Sequence, residues 1–268
     1  MVGASAVTAW RPAVAGVAEV LHARFTDHAY PMHTHDSWTL LIVDAGAVRY
    51  DLDRHEHGAP RDIVTLLPPH VPHNGCSATP RGFRKRVVYL DADALGDGLI
   101  GRAVDHPEFS DAPMRQHIDR LHAALLSPGD ELAAEARLVL VLERLRRHLR
   151  RSDAPPTVPD PASAARLRDL LDDRVVDGVT LAEASALLHH HPAHLVRAFG
   201  GRFGMSPHQY LIGRRVDLAR RLLLDGVPSA RVAARTGFFD QAHLTRHFRR
   251  VLGTTPSRFA RSSPGVLL

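Results

Sequence analysis

Seventeen residues, His194 to Tyr210, recur in pattern between His243 and Phe259. The first copy reads HLVRAFGGRFGMSPHQY and the second HLTRHFRRVLGTTPSRF. Each carries His-Leu-x-Arg-x-Phe, then Gly, then Ser or Thr before Pro, then an aromatic, with every matched pair 49 residues apart. A solenoid needs about three or more such copies, so two copies point to a pair of like units. Thr180 caps a helix through Leu188, and Glu183 three residues on completes a capping box. His189-His190 form the turn, and a second helix runs from about Pro192 to Arg202, with Pro in a permitted first-turn position. In the later copy Ser229 caps a helix ended by Gly237, and Asp240 caps a helix from Gln241 to about Val251. Helix, tight turn and helix make a helix-turn-helix, here over about 180–203 and 229–252. Between the units, 207–226 reads as one long helix ending at Gly226, with Leu211, Leu218 and Leu222 on its apolar stripe. It spans about 25–30 Å, close to the ~34 Å between successive major-groove faces.

The second helix of such a unit lies in the major groove with its N-terminal half at the base edges. Leu244 and Phe248 share a core face, which turns Gln241, Ala242, Thr245 and Arg246 outward. Gln pairs with adenine, Arg with guanine, and Ala or the Thr methyl touches thymine. In the first copy Leu195 and Phe199 are core, leaving Ala193, Val196 and Arg197 outward, a more apolar and less selective reader. Arg249, with Arg214, Arg215, Arg220, Arg221 and Arg250, is assigned to phosphates, which position without specifying. Charge agrees. Residues 164–261 hold 16 Arg against 8 acids, whereas the whole chain carries only +5, so the remainder is mildly acidic. Only the C-terminal part is expected to meet a polyanion.

Upstream the period changes. From Val17 to Leu90 short strands are expected at Trp38–Val43, Ala47–Leu52, Ile63–Leu67 and Arg86–Leu90, with a polar turn at 53–58. Closely spaced short strands with Gly and Pro punctuation indicate a sandwich or barrel. From about Pro113 to Arg151, Ile118, Leu121, Leu125, Leu132, Leu138, Val141, Leu145 and Leu149 fall at helical spacing, broken at Pro128-Gly129-Asp130. This helical pair can bury its stripe on its own barrel or form a dimer seam, and the seam is the expectation. Four prolines between 152 and 161 mark a semi-rigid linker. The expected organisation is therefore α+β: a strand-rich domain with a helical pair, and with it dimerisation, over 1–151, a linker over 152–163, and a helical DNA-binding domain over 164–268. The single cysteine, Cys76, excludes an intramolecular disulfide framework. No apolar run approaches a membrane span, the start lacks a basic n-region, and a cytoplasmic protein without a membrane partner is expected.

Taken together, GMSPHQYL, the R-x-x-x-A-R-R-L-L pattern at Arg214–Leu223, and GFFDQAHLTRHF followed by GTTPSRF are highly specific. On these motifs the segment from about Ala164 to Arg261 resembles the AraC/XylS family of bacterial transcription regulators. The resemblance implies two helix-turn-helix subdomains joined by a helix, sequence-specific binding to double-stranded promoter DNA, and most often activation through RNA polymerase. One position departs from it: His189 stands where the family usually has Gly in the first turn.

The segment His33-Thr-His35, followed after two strands by Pro69-His-Val-Pro-His73, resembles the cupin-like effector barrel common at the N-terminus of this family. The resemblance implies a small-molecule effector and, in metal-binding cupins, ligation by the histidines with a Glu. That Glu is absent, with Thr39 and Leu40 in its place. His33, His35 and His73 can therefore hold a divalent transition metal with open positions, or line a metal-free pocket. Trp38, Tyr50 and, more weakly, His70 are further pocket candidates; His55, His57 and His189–His191 are assigned to the surface. The reading is an effector-responsive regulator, acting as a homodimer, and not an enzyme. The alternative is a metal-dependent cupin enzyme fused to a DNA-binding domain, disfavoured by the missing Glu and by the lack of a nucleophile, phosphate loop or carboxylate pair.

Overall fold

A computed structural model describes residues 6–26, 29–53, 55–151 and 160–262; the proline linker at 152–159 lies outside them. Packing divides the chain into two units, Met1–Arg120 with Leu140–Pro155, and Leu121–Val139 with Pro156–Leu268. The expected domain boundary fell in the linker. Packing instead groups residues 121–139, from the helical pair, with the C-terminal helices.

Among the described residues the first unit is built on ten strands: β1 (Ala6–Trp10), β2 (Val17–Phe25), β3 (Ala29–His33), β4 (Trp38–Ala45), β5 (Val48–Leu52), β6 (His55–Ala59), β7 (Ile63–Leu67), β8 (His73–Ser77), β9 (Phe83–Leu90) and, after helix α1 (Ile100–Asp105), β10 (Glu108–Ser110). They form two antiparallel sheets, β1-β2-β9-β4-β7-β10 and β3-β8-β5-β6. Side chains alternate faces along each strand, and register decides which face meets the other sheet. Leu41 pairs with Val87 and Val43 with Lys85 across β4 and β9. Leu41, Val43 and Val87 join Ala23, Phe25 and Phe83, and Val48, Tyr50, Leu52 and Ala59 from the second sheet, in the core between the sheets. Residues 55–59 are a strand, not the expected turn. Their histidines and glycine are poor strand formers, but β6 pairs along its whole length with β5, and pairing overrides propensity.

The helical pair forms as expected, α2 (Ala112–Leu125) and α3 (Glu131–Arg150). Its stripe of Ile118, Leu121, Leu125, Leu132, Leu138, Val141, Leu145 and Leu149 is buried within this single chain. Of the two fates open to that stripe, the chain's own core takes it, so the stripe is not free to be a dimer seam.

The second unit holds α4 (Pro161–Asp173), α5 (Leu181–Leu188), α6 (Pro192–Phe203), α7 (Pro207–Leu224), α8 (Ser229–Arg235), α9 (Gln241–Leu252) and α10 (Pro256–Ser262). Local signals explain most ends. The Thr180–Glu183 capping box is formed, and a second one, Ser206 with Gln209, starts α7. Asp240 caps α9 through the His243 backbone N–H at 2.6 Å. Ser229 is not a cap: it is the first residue of α8, and Pro228 precedes it without a side-chain bond. Ile212, Val216, Ala219 and Leu223 recur along one face of α7 and pack with Val232, Ala233, Phe238, Leu244 and Phe248. In the first head Leu195 and Phe199 are fully buried, and Phe199 packs tilted against Phe203 and edge-on against Tyr210.

The two turns differ. Gly237 closes the second with φ +76°. His189 closes the first in the left-handed region, φ 55°, ψ 38°. That conformation costs a side-chain-bearing residue about 1 kcal/mol. The substitution His189→Gly should therefore raise stability by about 0.5–1 kcal/mol after glycine's entropy is counted. A thermal melt checks this, and an unchanged or lower midpoint contradicts it.

Candidate functional site

The second unit presents α6 and α9 as the paired second helices of its two heads. On α9, Gln241, Ala242, Arg246 and Arg249 are exposed and Thr245 is half-buried. The Thr245 hydroxyl donates to the Gln241 carbonyl at 2.8 Å, so its hydrogen-bonding capacity is turned inward along the helix. On α6 the expected readers divide. Arg197 is half-buried, but Ala193 is 1% and Val196 7% exposed. Both belong to the core and are withdrawn as base readers. The helical pattern allowed α6 one buried face, whereas α4, α5 and α7 all pack on it, and the wider burial takes those two residues.

The phosphate candidates divide as well. Arg215 is 7% exposed, and its Nε donates to the Val175 carbonyl at 2.7 Å, where it ties α7 to the chain after α4. It is a structural residue. Arg214 pairs with Asp172 at 2.8 Å, and Arg220 and Arg221 pair with Asp217. Arg249 and Arg250 are exposed.

Sequence reading missed what surrounds Arg246. Asp130, at the turn between α2 and α3, accepts on Oδ1 from Nε2 of His208 at 3.1 Å, His243 at 3.3 Å and His247 at 3.0 Å. Its Oδ2 accepts from the Arg246 guanidinium at 3.2 Å. Burial would raise this carboxyl, but the three imidazole bonds hold it far below the usual carboxylate range. The neighbouring Gly129, φ +87°, lies so close to the His243 ring that a Cβ would sit 2.3 Å from it. Glu135 of α3 accepts from the Leu181 backbone N–H at 2.6 Å, so α3 also caps the first helix of the first head.

The first unit gathers the three expected histidines. Ring centroids lie 4.8 Å apart for His33 and His35, 4.5 Å for His33 and His73, and 5.0 Å for His35 and His73. His33 ends β3 directly opposite His73 in β8. His35 follows the strand rather than lying in it, with its carbonyl held by the His70 backbone N–H at 2.8 Å. The His33 Nδ1 donates to the Pro31 carbonyl at 2.7 Å, and the His73 Nδ1 to the Val71 carbonyl at 3.0 Å. A carbonyl only accepts, so both Nδ1 carry a proton, and in the neutral ring the lone pair sits on Nε2. That second contact is the usual arrangement behind a metal-ligating histidine, and the three rings fit a divalent metal. Burial, then the neighbouring His73, His33 and Lys85, push His35 down to about 4, so its lone pair is also open at neutral pH. Lys85 is itself pushed down to about 8 by burial.

Other pocket candidates lie elsewhere. Trp38 is fully buried and pairs with Leu90, on the face of β4 turned away from the core between the sheets. Its Nε1 donates to the Ala92 carbonyl at 3.0 Å, so it is withdrawn from the pocket. Tyr50 faces the core, but its hydroxyl donates to Glu108 at 3.0 Å and its ring stacks on His57. The structure does not bring it to the three histidines, and it leaves His57 half-buried rather than on the surface. His70 is exposed. His190 bonds Ser163 at 2.8 Å, and His191 caps α6 through the Ala193 N–H.

Comparison with known proteins matches residues 16–142 to the AraC-like ligand binding domain and residues 184–262 to a helix-turn-helix domain. The chain is 25% identical to the uncharacterized HTH-type transcriptional regulator YbfI of Bacillus subtilis, over 80% of this chain and 81% of that one. It is 24% identical to the HTH-type transcriptional activator RhaS of Klebsiella pneumoniae, over 94% and 96%. Among solved structures, the AraC-like transcriptional activator CuxR aligns over 83% of this chain and 80% of that one, with 12% identity and a TM-score of 0.43. The matched relatives are transcriptional regulators, not enzymes, which sets the cupin-enzyme alternative aside.

Proposed function

Since this chain is an AraC-family transcriptional regulator, with a ligand-binding domain followed by a helix-turn-helix DNA-binding domain, we propose that Gln241, Ala242, Thr245 and Arg246 read base edges and that Arg249 holds a phosphate. The observation that carries this is the exposed face of α9, where those side chains stand together over a core closed by Leu244 and Phe248. Arg197 is the reader of the first head. With Ala193 and Val196 buried, that head offers less to bases than the second, which supports one strict and one loose reader. The α7 bar between them, 18 residues, is about 27 Å long. Arg246→Ala should cost about 1–3 kcal/mol of specific binding and relax one base position. Footprint titration on a selected site measures both, and unchanged affinity with unchanged sequence preference refutes the assignment.

The effector site of this proposal is the cluster of His33, His35 and His73, with a divalent transition metal held through the free imidazole nitrogens. A bound metal would supply a Lewis-acidic anchor for an oxygen-bearing effector. The protein's part is to fix the His33 and His73 rings by their Nδ1 bonds. Activation through RNA polymerase, a homodimer and a cytoplasmic setting complete the proposal. They follow from the family resemblance, and sedimentation of the full-length protein tests the dimer.

A further inference from the structure

We infer that the barrel takes a small organic anion, a carboxylate, whose charge is received by Lys85 beside the three histidines. This rests on reading those histidines as the effector site. Lys85 is the chain's only lysine. It stands on the inward face of β9, flanked by Ala23 on β2 and Val43 on β4. It is 9% exposed, and among the described residues no carboxylate pairs with it. It makes cation–π approaches to the Tyr30 ring at 4.1 Å and the Phe83 ring at 5.9 Å. An unpaired ammonium in an apolar wall costs several kcal/mol, so an apolar residue would serve the fold better there. Thr39 repeats the pattern. It is 4% exposed, faces inward opposite Tyr89, and its Oγ1 has no hydrogen-bond partner. Tyr89 in turn packs against His35 at 5.1 Å. A cation and imidazole nitrogens face one interior, and a carboxylate answers both: one oxygen for a metal on the histidines, the other for Lys85. A neutral sugar leaves the ammonium unpaired.

The single lysine makes the test direct. Full-length protein labelled with isotopic lysine carries one side-chain reporter. It is titrated with Zn²⁺ alone, with acetate, pyruvate and benzoate each to about 20 mM, and with each acid plus Zn²⁺. At least one acid should shift the Lys85 signal saturably, and Lys85→Met should weaken that acid about tenfold or more, the scale of one charged hydrogen bond. Lys85→Met should still bind Zn²⁺ and should melt higher than the parent. A Lys85 signal unmoved by all three acids, or equal affinity in Lys85→Met, overturns the inference. Failure of Zn²⁺ to bind the parent overturns the metal reading instead and leaves the metal-free arms to decide this one.

A separate cluster carries a second inference. We infer that Asp130 restrains Arg246, so that the second head must give up this ion pair to read DNA. The cluster looks like a metal site, but His243 excludes that: its Nδ1 accepts the Phe239 backbone N–H at 3.1 Å, so its Nε2 carries the proton and donates to Asp130. The carboxylate is thus fully charged, and it occupies the guanidinium that the base-reading role needs. Beside a polyanion this pairing is disfavoured. In the full-length protein Asp130→Asn should tighten binding to a selected DNA site about three- to tenfold, the scale of one partly exposed charged pair. That gain should vanish in an Arg246→Ala background. Unchanged or weaker binding by Asp130→Asn, or the same gain without Arg246, overturns the inference.

Discussion

Replacing Gly237 by alanine should abolish specific DNA binding and lower the melting temperature more than any surface substitution. Gly237 sits at φ +76°, and a Cβ there would lie 2.3 Å from the Val176 carbonyl oxygen and 2.9 Å from the Arg215 Nε. The first neighbour is backbone and has no rotamer to escape into. The second is held by its own bonds to the carbonyls of Val175 and Val176. Left-handed strain and overpacking each cost about 1–3 kcal/mol, and together they approach the whole stability of a marginal domain. The lost contacts run through the turn that aims α9, so Gln241 and Arg246 lose their presentation even where the chain stays folded. Calorimetry and a DNA-binding titration check the result. A midpoint within a degree or two of the parent would mean that the turn tolerates a side chain.

The second large effect concerns the histidines. His73→Ala should reduce divalent metal affinity by about a hundredfold or more, because even the supporting partners of a ligand are worth 10–100-fold. His73 is 3% exposed and opposes both His33 and Leu52 in the sheet, so the fold needs its own control. Trp38→Ala supplies it. Trp38 packs on the other face of β4, and its truncation should cost about 3–5 kcal/mol while metal affinity per folded molecule stays the same. Metal titration with melting curves separates the two. Equal metal affinity in His73→Ala and the parent would leave the pocket metal-free.

How much of this could be read from the sequence depended on the range of the interaction. The two heads, their caps at Thr180 and Asp240, and the α7 bar were legible, because caps, turns and helical stripes are written within a few residues. Trp38 was misassigned because β4 is apolar on both faces, so only its register against β9 shows which face meets the other sheet. Ala193, Val196 and Arg215 were misplaced for a related reason. α4, α5 and α7 together bury the first two, and the chain after α4 holds Arg215. Asp130 read only as a helix breaker, since its partners lie some 78 to 117 residues away. Lys85 was visible as the only lysine, but its isolation inside the barrel needed the strand pairing.

Two unequal heads on one bar should bind duplex DNA. Footprinting at base resolution, on sites recovered from genomic DNA by the full-length protein, tests it most directly. Two major-groove segments about 10 bp apart should be protected. Arg246→Ala should erase the sequence preference of one segment, whereas Arg197→Ala should weaken binding and leave that preference intact. A single protected segment, or equal loss of preference in both variants, would contradict it.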